Sequence, residues 1–212
     1  MSKGHLITLE GGEGAGKSTQ ARRLASRLEA LGRPVVLTRE PGGSAGAEAI
    51  RELLVTGATD RWSPITETLL MNAARRDHLE RTVTPALEAG AWVVCDRFAD
   101  STRAYQGAGG GASDDFLRAL EGFVLEGVRP SLTLILDLPI EIGLARVAQR
   151  NAAVTRFEAQ DEDFHRRLRA AFLAIAQAEP DRCVVVDASA DPDGVEAAIW
   201  AATQRKLDPG HG

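Results

Sequence analysis

The run LEGGEGAGKST, Leu9 to Thr19, places Lys17 between glycines on one side and hydroxyls on the other. The chain has twenty-two arginines and three lysines, and the other two lysines, Lys3 and Lys206, lie near its ends. Arginine therefore serves almost everywhere that a cation is needed, except at this position. Gly11 to Ser18 fits the pattern G-x-x-x-x-G-K-[ST], preceded by the strand-like LITLE (6–10) and followed by the helical STQARRLASRLEALG (18–32). In that setting the pattern predicts a phosphate cradle. Glycines let backbone N–H groups converge on phosphate oxygens, and the helix N-terminus adds its dipole. A compact ammonium can bridge β- and γ-phosphates where a broad planar guanidinium fits poorly, which accounts for the retained lysine. The expected nucleotide contacts are thus Gly11, Gly12, Glu13, Gly14, Ala15, Gly16, Lys17, Ser18 and Thr19, with a nucleoside triphosphate as the ligand.

Beyond the loop, short apolar runs alternate with long helical patterns. Strands are expected at 6–10, 34–38, 91–96, 132–137 and 182–187, and helices at roughly 17–31, 45–56, 64–89, 114–127, 139–150, 160–179 and 193–205. The strand runs are continuously apolar, as in a parallel sheet covered on both faces. The alternation predicts a doubly wound α/β domain with its ligands at the carboxyl ends of the strands. Three glycine-rich stretches, EGGEGAGKS, EPGGSAG and QGAGGGAS, read as loops there.

At 212 residues, with 44% hydrophobic and 26% charged residues, the composition is that of an ordinary globular protein forming one domain. No apolar run approaches the roughly eighteen residues that would cross a membrane. The strand pattern HLITLE begins almost at once, so no secretory signal is expected and the cytoplasm is the expected location. Cys95 and Cys183 sit in valine-rich runs and read as small core residues, and the four histidines show no ligand spacing. The net charge of −5 argues against a surface that coats nucleic acid. The basic run HRRLR (165–169) follows acidic residues on a helical pattern and reads as a solvated, salt-bridged face.

Ser18 is placed to ligate Mg²⁺, and a second oxygen should come from an acid closing a neighbouring strand. Asp96, Asp137 and Asp187 all qualify; Asp96 is preferred because Arg97 follows it and could hold a phosphate. Gly12, Glu13, Gly14 and Ala15 carry no cation, so charge on a moving phosphoryl must be met from elsewhere. A lid at about 146–158, with Arg146, Arg150 and Arg156, could supply it. The guanine-reading segment Asn-Lys-x-Asp is absent, since the nearest match is RKLD (205–208). The residues alone leave a small-molecule kinase and a nucleotide-dependent switch or partition protein open.

Five segments together resemble the thymidylate kinases: EGGEGAGKST (10–19), TREPGG (38–43), DRFADSTRAYQG (96–107), RNAAVTRFE (150–158) and VVDAS (185–189). The resemblance spans about residues 5–200. It implies a P-loop nucleoside monophosphate kinase-like, three-layer α/β/α domain with a five-stranded parallel sheet. It further implies Mg²⁺-dependent transfer of the ATP γ-phosphoryl to dTMP by a homodimer, in the bacterial subtype whose lid carries the catalytic arginine. By the same resemblance Lys17, Asp96, Arg97, Arg150 and Arg156 are catalytic, Arg150 first among the lid arginines. Glu13 faces the sugar 3′-hydroxyl, Arg97 holds the dTMP phosphate, and Ser18 with Asp96 forms the metal shell. Ser101, Thr102, Tyr105 and Gln106 line the nucleoside pocket, Arg75 reaches the thymine edge, and Arg51 and Arg39 add charge. Met71 stands where the family usually has a phenylalanine stacked on thymine. Methionine is polarizable and covers a base face without a ring's fixed shape.

Overall fold

The computed structural model describes residues 4–149 and 155–208. The strands are β1 (Leu6–Glu10), β2 (Val35–Arg39), β3 (Trp92–Asp96), β4 (Leu132–Asp137) and β5 (Cys183–Asp187). They form one parallel sheet in the order β2-β3-β1-β4-β5. The helices are α1 (Lys17–Ala30), α2 (Ala45–Val55), α3 (Pro64–His78), α4 (Thr84–Glu88), α5 (Ala99–Thr102), α6 (Asp114–Leu125), α7 (Ile140–Gln149), α8 (Glu162–Ala178) and α9 (Pro192–Leu207).

Alternation along each strand divides the core between the two faces. Ile7, Leu9, Leu132, Leu134 and Leu136 pack with Leu24 and Leu28 of α1 and Ile199 and Trp200 of α9. On the opposite face Leu6, Val93 and Cys95 meet Leu79, Val83, Val124 and Leu125, while Ile135 meets Phe164, Leu168 and Phe172 of α8. The central strands β1, β3 and β4 are buried almost throughout; β2 and β5, at the edges, are only partly so. Cys95 and Cys183 are free and buried, as expected.

The expected helix 64–89 is one continuous helical path whose register changes. A π-helical stretch, Leu79–Val83, joins α3 to α4. Pro85 lies just beyond it; its ring cannot donate to, and would clash with, the carbonyl four residues back, so the extra residue per turn falls where the ladder must loosen. QGAGGGAS corrects the expected loop. Its first part belongs to a π-helical stretch, Arg103–Gly109, that continues α5. A Cβ on Gly109 would lie 2.5 Å from the Phe164 ring, so this glycine serves helix packing, not chain reversal.

All five strands end in an ionisable residue, Glu10, Arg39, Asp96, Asp137 and Asp187. The sheet therefore presents a charged carboxyl edge, and the order around β1 puts the switch point of the topology there.

Candidate active site

Above that edge lies a cleft of about 630 Å³, lined on one side by Gly14, Gly16, Lys17, Ser18 and Thr19 and on the other by Met71, Arg75, Ser101, Thr102, Tyr105 and Gln106. Arg39, Arg51, Asp96, Arg97 and Arg146 reach it from between. The volume is that of a small-molecule site. The phosphate loop is shaped by its contact with α7. Gly14 has φ +71°, and a Cβ there would lie 2.2 Å from the Gly143 carbonyl oxygen; a Cβ on Gly143 would lie 2.5 Å from the Glu13 carbonyl oxygen. Two facing glycines let the helix buttress the loop backbone to backbone.

Lys17, the first residue of α1, is buried and donates to the carbonyls of Gly12 at 2.6 Å and Gly11 at 3.1 Å. Burial, and then the nearby Arg97 guanidinium, lower its pKa to about 8 against the pull of Glu13, Asp96 and Glu10. Ser18 donates its hydroxyl to Asp96 Oδ2, which joins the two oxygen groups expected to share a metal. The alternative acids are engaged elsewhere: Asp137 pairs with Arg169 at 2.7 Å, and Asp187 accepts the Ser189 N–H.

Arg97 follows Asp96 at φ +69°, a backbone conformation unusual for a residue with a side chain. The turn sends its guanidinium to Glu13 Oε1 at 3.0 Å, to the Gly11 carbonyl at 3.1 Å and to Ser101 Oγ at 3.3 Å, 4.8 Å from the Tyr105 ring centre. The Tyr105 hydroxyl donates to the same Glu13 oxygen at 2.6 Å. Burial alone would raise the Glu13 carboxyl, but Arg97, Lys17 and the Tyr105 bond together hold it at about 2. Arg97 is itself raised, burial being outweighed by Tyr105, Glu13, Asp96 and Glu10. Arg97→Ala would leave Glu13 buried without its main partner and should cost about 3 kcal/mol of stability in denaturant titration. Adding Glu13→Gln should recover much of it. Relative to an ordinary 4.5, a folded-state pKa near 2 means the pair's contribution is complete above pH 4.5 and is lost as pH falls through 2.

Arg75 is buried, and its N–H groups are largely committed: Nε to Glu40 Oε2 at 2.7 Å, Nη1 to Thr102 Oγ1 at 2.9 Å and Asn72 Oδ1 at 3.3 Å, and Nη2 to the Phe98 carbonyl at 3.0 Å. Of five N–H groups, one on Nη2 remains for a ligand. Glu40 also meets His78 Nδ1 at 3.0 Å, and His78 Nε2 lies 2.7 Å from Thr38 Oγ1. Arg51 is held by the Pro41 carbonyl at 2.6 Å and Arg39 by Glu48 at 3.0 Å. Met71 lines the cleft one helical turn before Arg75.

Arg150 lies outside the described residues. Arg156 does not reach the cleft as expected of a lid arginine. It is 3% exposed, donates to the carbonyls of Leu54, Ala58 and Thr59 at 2.7–2.9 Å, and pairs with Glu67 at 2.9 Å. Glu67 in turn accepts from Gln106 Nε2 at 3.0 Å. Arg156 thus latches the C-terminal end of the expected lid segment to the α2–α3 connection and, through Glu67, to the pocket wall. Arg146 is the described arginine of this region at the cleft, donating to the Ala188 carbonyl at 3.2 Å. The basic run HRRLR is divided: Arg166 is salt-bridged at the surface to Glu162 and Asp163, whereas His165 and Leu168 are buried. Unread in the sequence were Glu10, Glu40, Phe157 and Glu158. The first two could have been suspected as acids closing or following apolar strands.

The thymidylate kinase family model matches residues 9–199. The chain belongs to the thymidylate kinase family. The chain is 65% identical over 207 residues to the thymidylate kinase of Caulobacter vibrioides, covering 98% of this chain and 99% of that one. It is 52% identical over 207 residues to the thymidylate kinase of a Bradyrhizobium strain (BTAi1), covering 97% and 92%. Its fold matches the crystal structure of thymidylate kinase from Ehrlichia chaffeensis with a TM-score of 0.79 at 32% identity, over 95% of this chain and 100% of that one. Among the described residues no helix is long and apolar enough to cross a membrane.

Proposed function

We infer that this chain transfers the γ-phosphoryl group of ATP to dTMP, giving dTDP and ADP in the synthesis of dTTP. The observation that carries the reading is one cleft holding two cations, Lys17 on the loop side and Arg97 on the nucleoside side, with the Glu13 carboxylate bonded to Arg97 and within electrostatic reach of Lys17. ATP lies along the loop with Lys17 against its β- and γ-phosphates. The dTMP phosphate is held by Arg97, with Arg51 and Arg39 adding positive potential. Its sugar 3′-hydroxyl donates to Glu13, whose bonds from Arg97 and Tyr105 both fall on Oε1, so that Oε2 is the acceptor offered. Tyr105 packs beside the sugar, Arg75 directs its remaining N–H to the thymine edge, and Met71 covers the base face, with Ser101, Thr102 and Gln106 closing the pocket.

Transfer needs no general base, because a phosphate oxygen is already ionised. The protein's task is to align the acceptor oxygen with the γ-phosphorus and to offset charge as it develops. The Ser18–Asp96 pair consists of hard oxygen donors at the loop mouth, and it fits a Mg²⁺ that takes most of its ligands from phosphates and water. Ser18 and Asp96 would hold the ion, which would supply positive charge to offset that of the phosphates. Arg150 is assigned to the transferring phosphoryl. The enzyme acts in the cytoplasm as a homodimer.

The acceptor assignment is tested by coupled ADP-release assays on dTMP, dUMP, dCMP, dGMP and thymidine with Mg²⁺ and ATP. dTMP should give the highest kcat/KM. Faster turnover of another acceptor, or slow hydrolysis indifferent to every monophosphate, would overturn the reading.

A further inference from the structure

Glu10 closes β1 immediately before the phosphate loop and is completely buried. Its carboxylate accepts the Phe98 N–H at 2.8 Å and the Ser101 N–H at 3.2 Å on Oε1, and the Ser101 hydroxyl at 2.6 Å on Oε2. All three donors belong to the turn that follows Arg97. Ser101 Oγ also accepts from Arg97 Nη1 at 3.3 Å, so one hydroxyl links the Glu10 carboxylate to the guanidinium assigned to the acceptor phosphate.

This turn holds one of the three non-glycine residues at positive φ among the described residues. Arg97 sits at φ +69°, and such a conformation persists only where its surroundings over-determine it. The Arg97 N–H is held by the Leu9 carbonyl at 2.9 Å, and the residues after it are held by Glu10. Two successive residues of β1 therefore clamp both sides of the strained residue. Burial, and then the Asp100 carboxylate, push the Glu10 carboxyl up to about 8. A carboxyl is an unfavourable choice for filling space at such a position, whereas a group that accepts three hydrogen bonds from one tight turn is well served by it.

We propose that Glu10 is a positioning residue for the acceptor nucleotide, fixing the turn from Arg97 to Ser101 on the end of β1 and so the direction in which Arg97 enters the cleft. The proposal rests on the functional reading above and deepens it: Glu10 touches neither nucleotide and acts on dTMP through Arg97 and Ser101.

Steady-state kinetics of the full chain test it, with ATP and dTMP each varied at saturating partner. Glu10→Ala should raise the KM for dTMP about 30-fold while that for ATP stays within about threefold, because every bond removed leads to the acceptor side. Glu10→Gln, which keeps a carbonyl for the two N–H groups and an amide for the Ser101 hydroxyl, should stay within about fivefold of wild type. Glu10→Asp keeps the carboxyl group but draws it back by one methylene. It should raise the dTMP constant about tenfold and decides the question if the alanine variant is not recovered folded. Unchanged dTMP constants in the Asp variant, or parallel rises for both substrates, would reduce Glu10 to a structural residue. Wild-type turnover of dTMP is measured first. Its absence would count against the functional reading, whereas normal wild-type turnover with parallel constants would count against this proposal alone.

Discussion

Lys17→Met should lower kcat for dTMP phosphorylation by roughly a thousandfold in a coupled assay, with the fold intact in circular dichroism. Methionine preserves the apolar stem and removes the charge. In the structure the Lys17 ammonium is drawn onto the carbonyls of Gly11 and Gly12, beside Arg97, where loop and acceptor side meet. A positive group here meets charge that grows on the β–γ bridge during transfer, so its loss falls on the transition state more than on ATP binding. Lys17→Arg should not rescue the rate, because the guanidinium is too wide for a site bounded by the loop backbone. The pH profile carries the same information. With a pKa lowered to about 8, Lys17 is charged below that pH and loses its proton above it, so kcat/KM for ATP should fall on the alkaline side of about 8.

The second large effect separates the two arginines expected to act from the lid. Arg150→Ala should slow turnover by on the order of a thousandfold with the KM for ATP nearly kept, as for the loss of an arginine that acts on a moving phosphoryl. Arg156→Ala should behave differently, because this guanidinium is spent on three backbone carbonyls and Glu67. Its removal leaves buried acceptors unpaired and should cost roughly 3 kcal/mol of stability, measured by denaturant titration. Since Glu67 also holds Gln106, the KM for dTMP should rise more than kcat falls. A thousandfold loss of kcat in Arg156→Ala at unchanged stability would reverse the two roles.

The parts of the site that could be read in the chain are those announced by a contiguous motif or by their place at a strand end. The phosphate loop is a contiguous motif between a strand and a helix, and its cation, hydroxyl and glycines lie within eight positions. Asp96 closes a strand and Arg97 follows it, a position that suggests a site although their partners Ser18 and Glu13 lie 78 and 84 residues away. Arg156 was misplaced because its partners, Leu54, Ala58, Thr59 and Glu67, are about a hundred residues away, and a positive charge beside small residues does not show which way it turns. The commitments of Arg75 to Glu40, Thr102 and Phe98 are likewise assembled across three segments. Glu10 closes an apolar strand and could be suspected on that ground, but nothing in the chain names its partners Phe98 and Ser101, 88 and 91 residues on. The helical turn at Arg103–Gly109 was masked by composition: glycine at 107 and 109 signals a loop unless Leu117 and Phe164 are known to press on those positions.

The most direct measurement follows the phosphorus atom itself, using ATP labelled at the γ-position with dTMP, Mg²⁺ and purified protein. Label should move to the β-phosphate of dTDP in one-to-one ratio with ADP, and should not move with the Lys17→Met protein at matched times. Label released as inorganic phosphate at a rate indifferent to dTMP would contradict phosphoryl transfer between two nucleotides in this cleft.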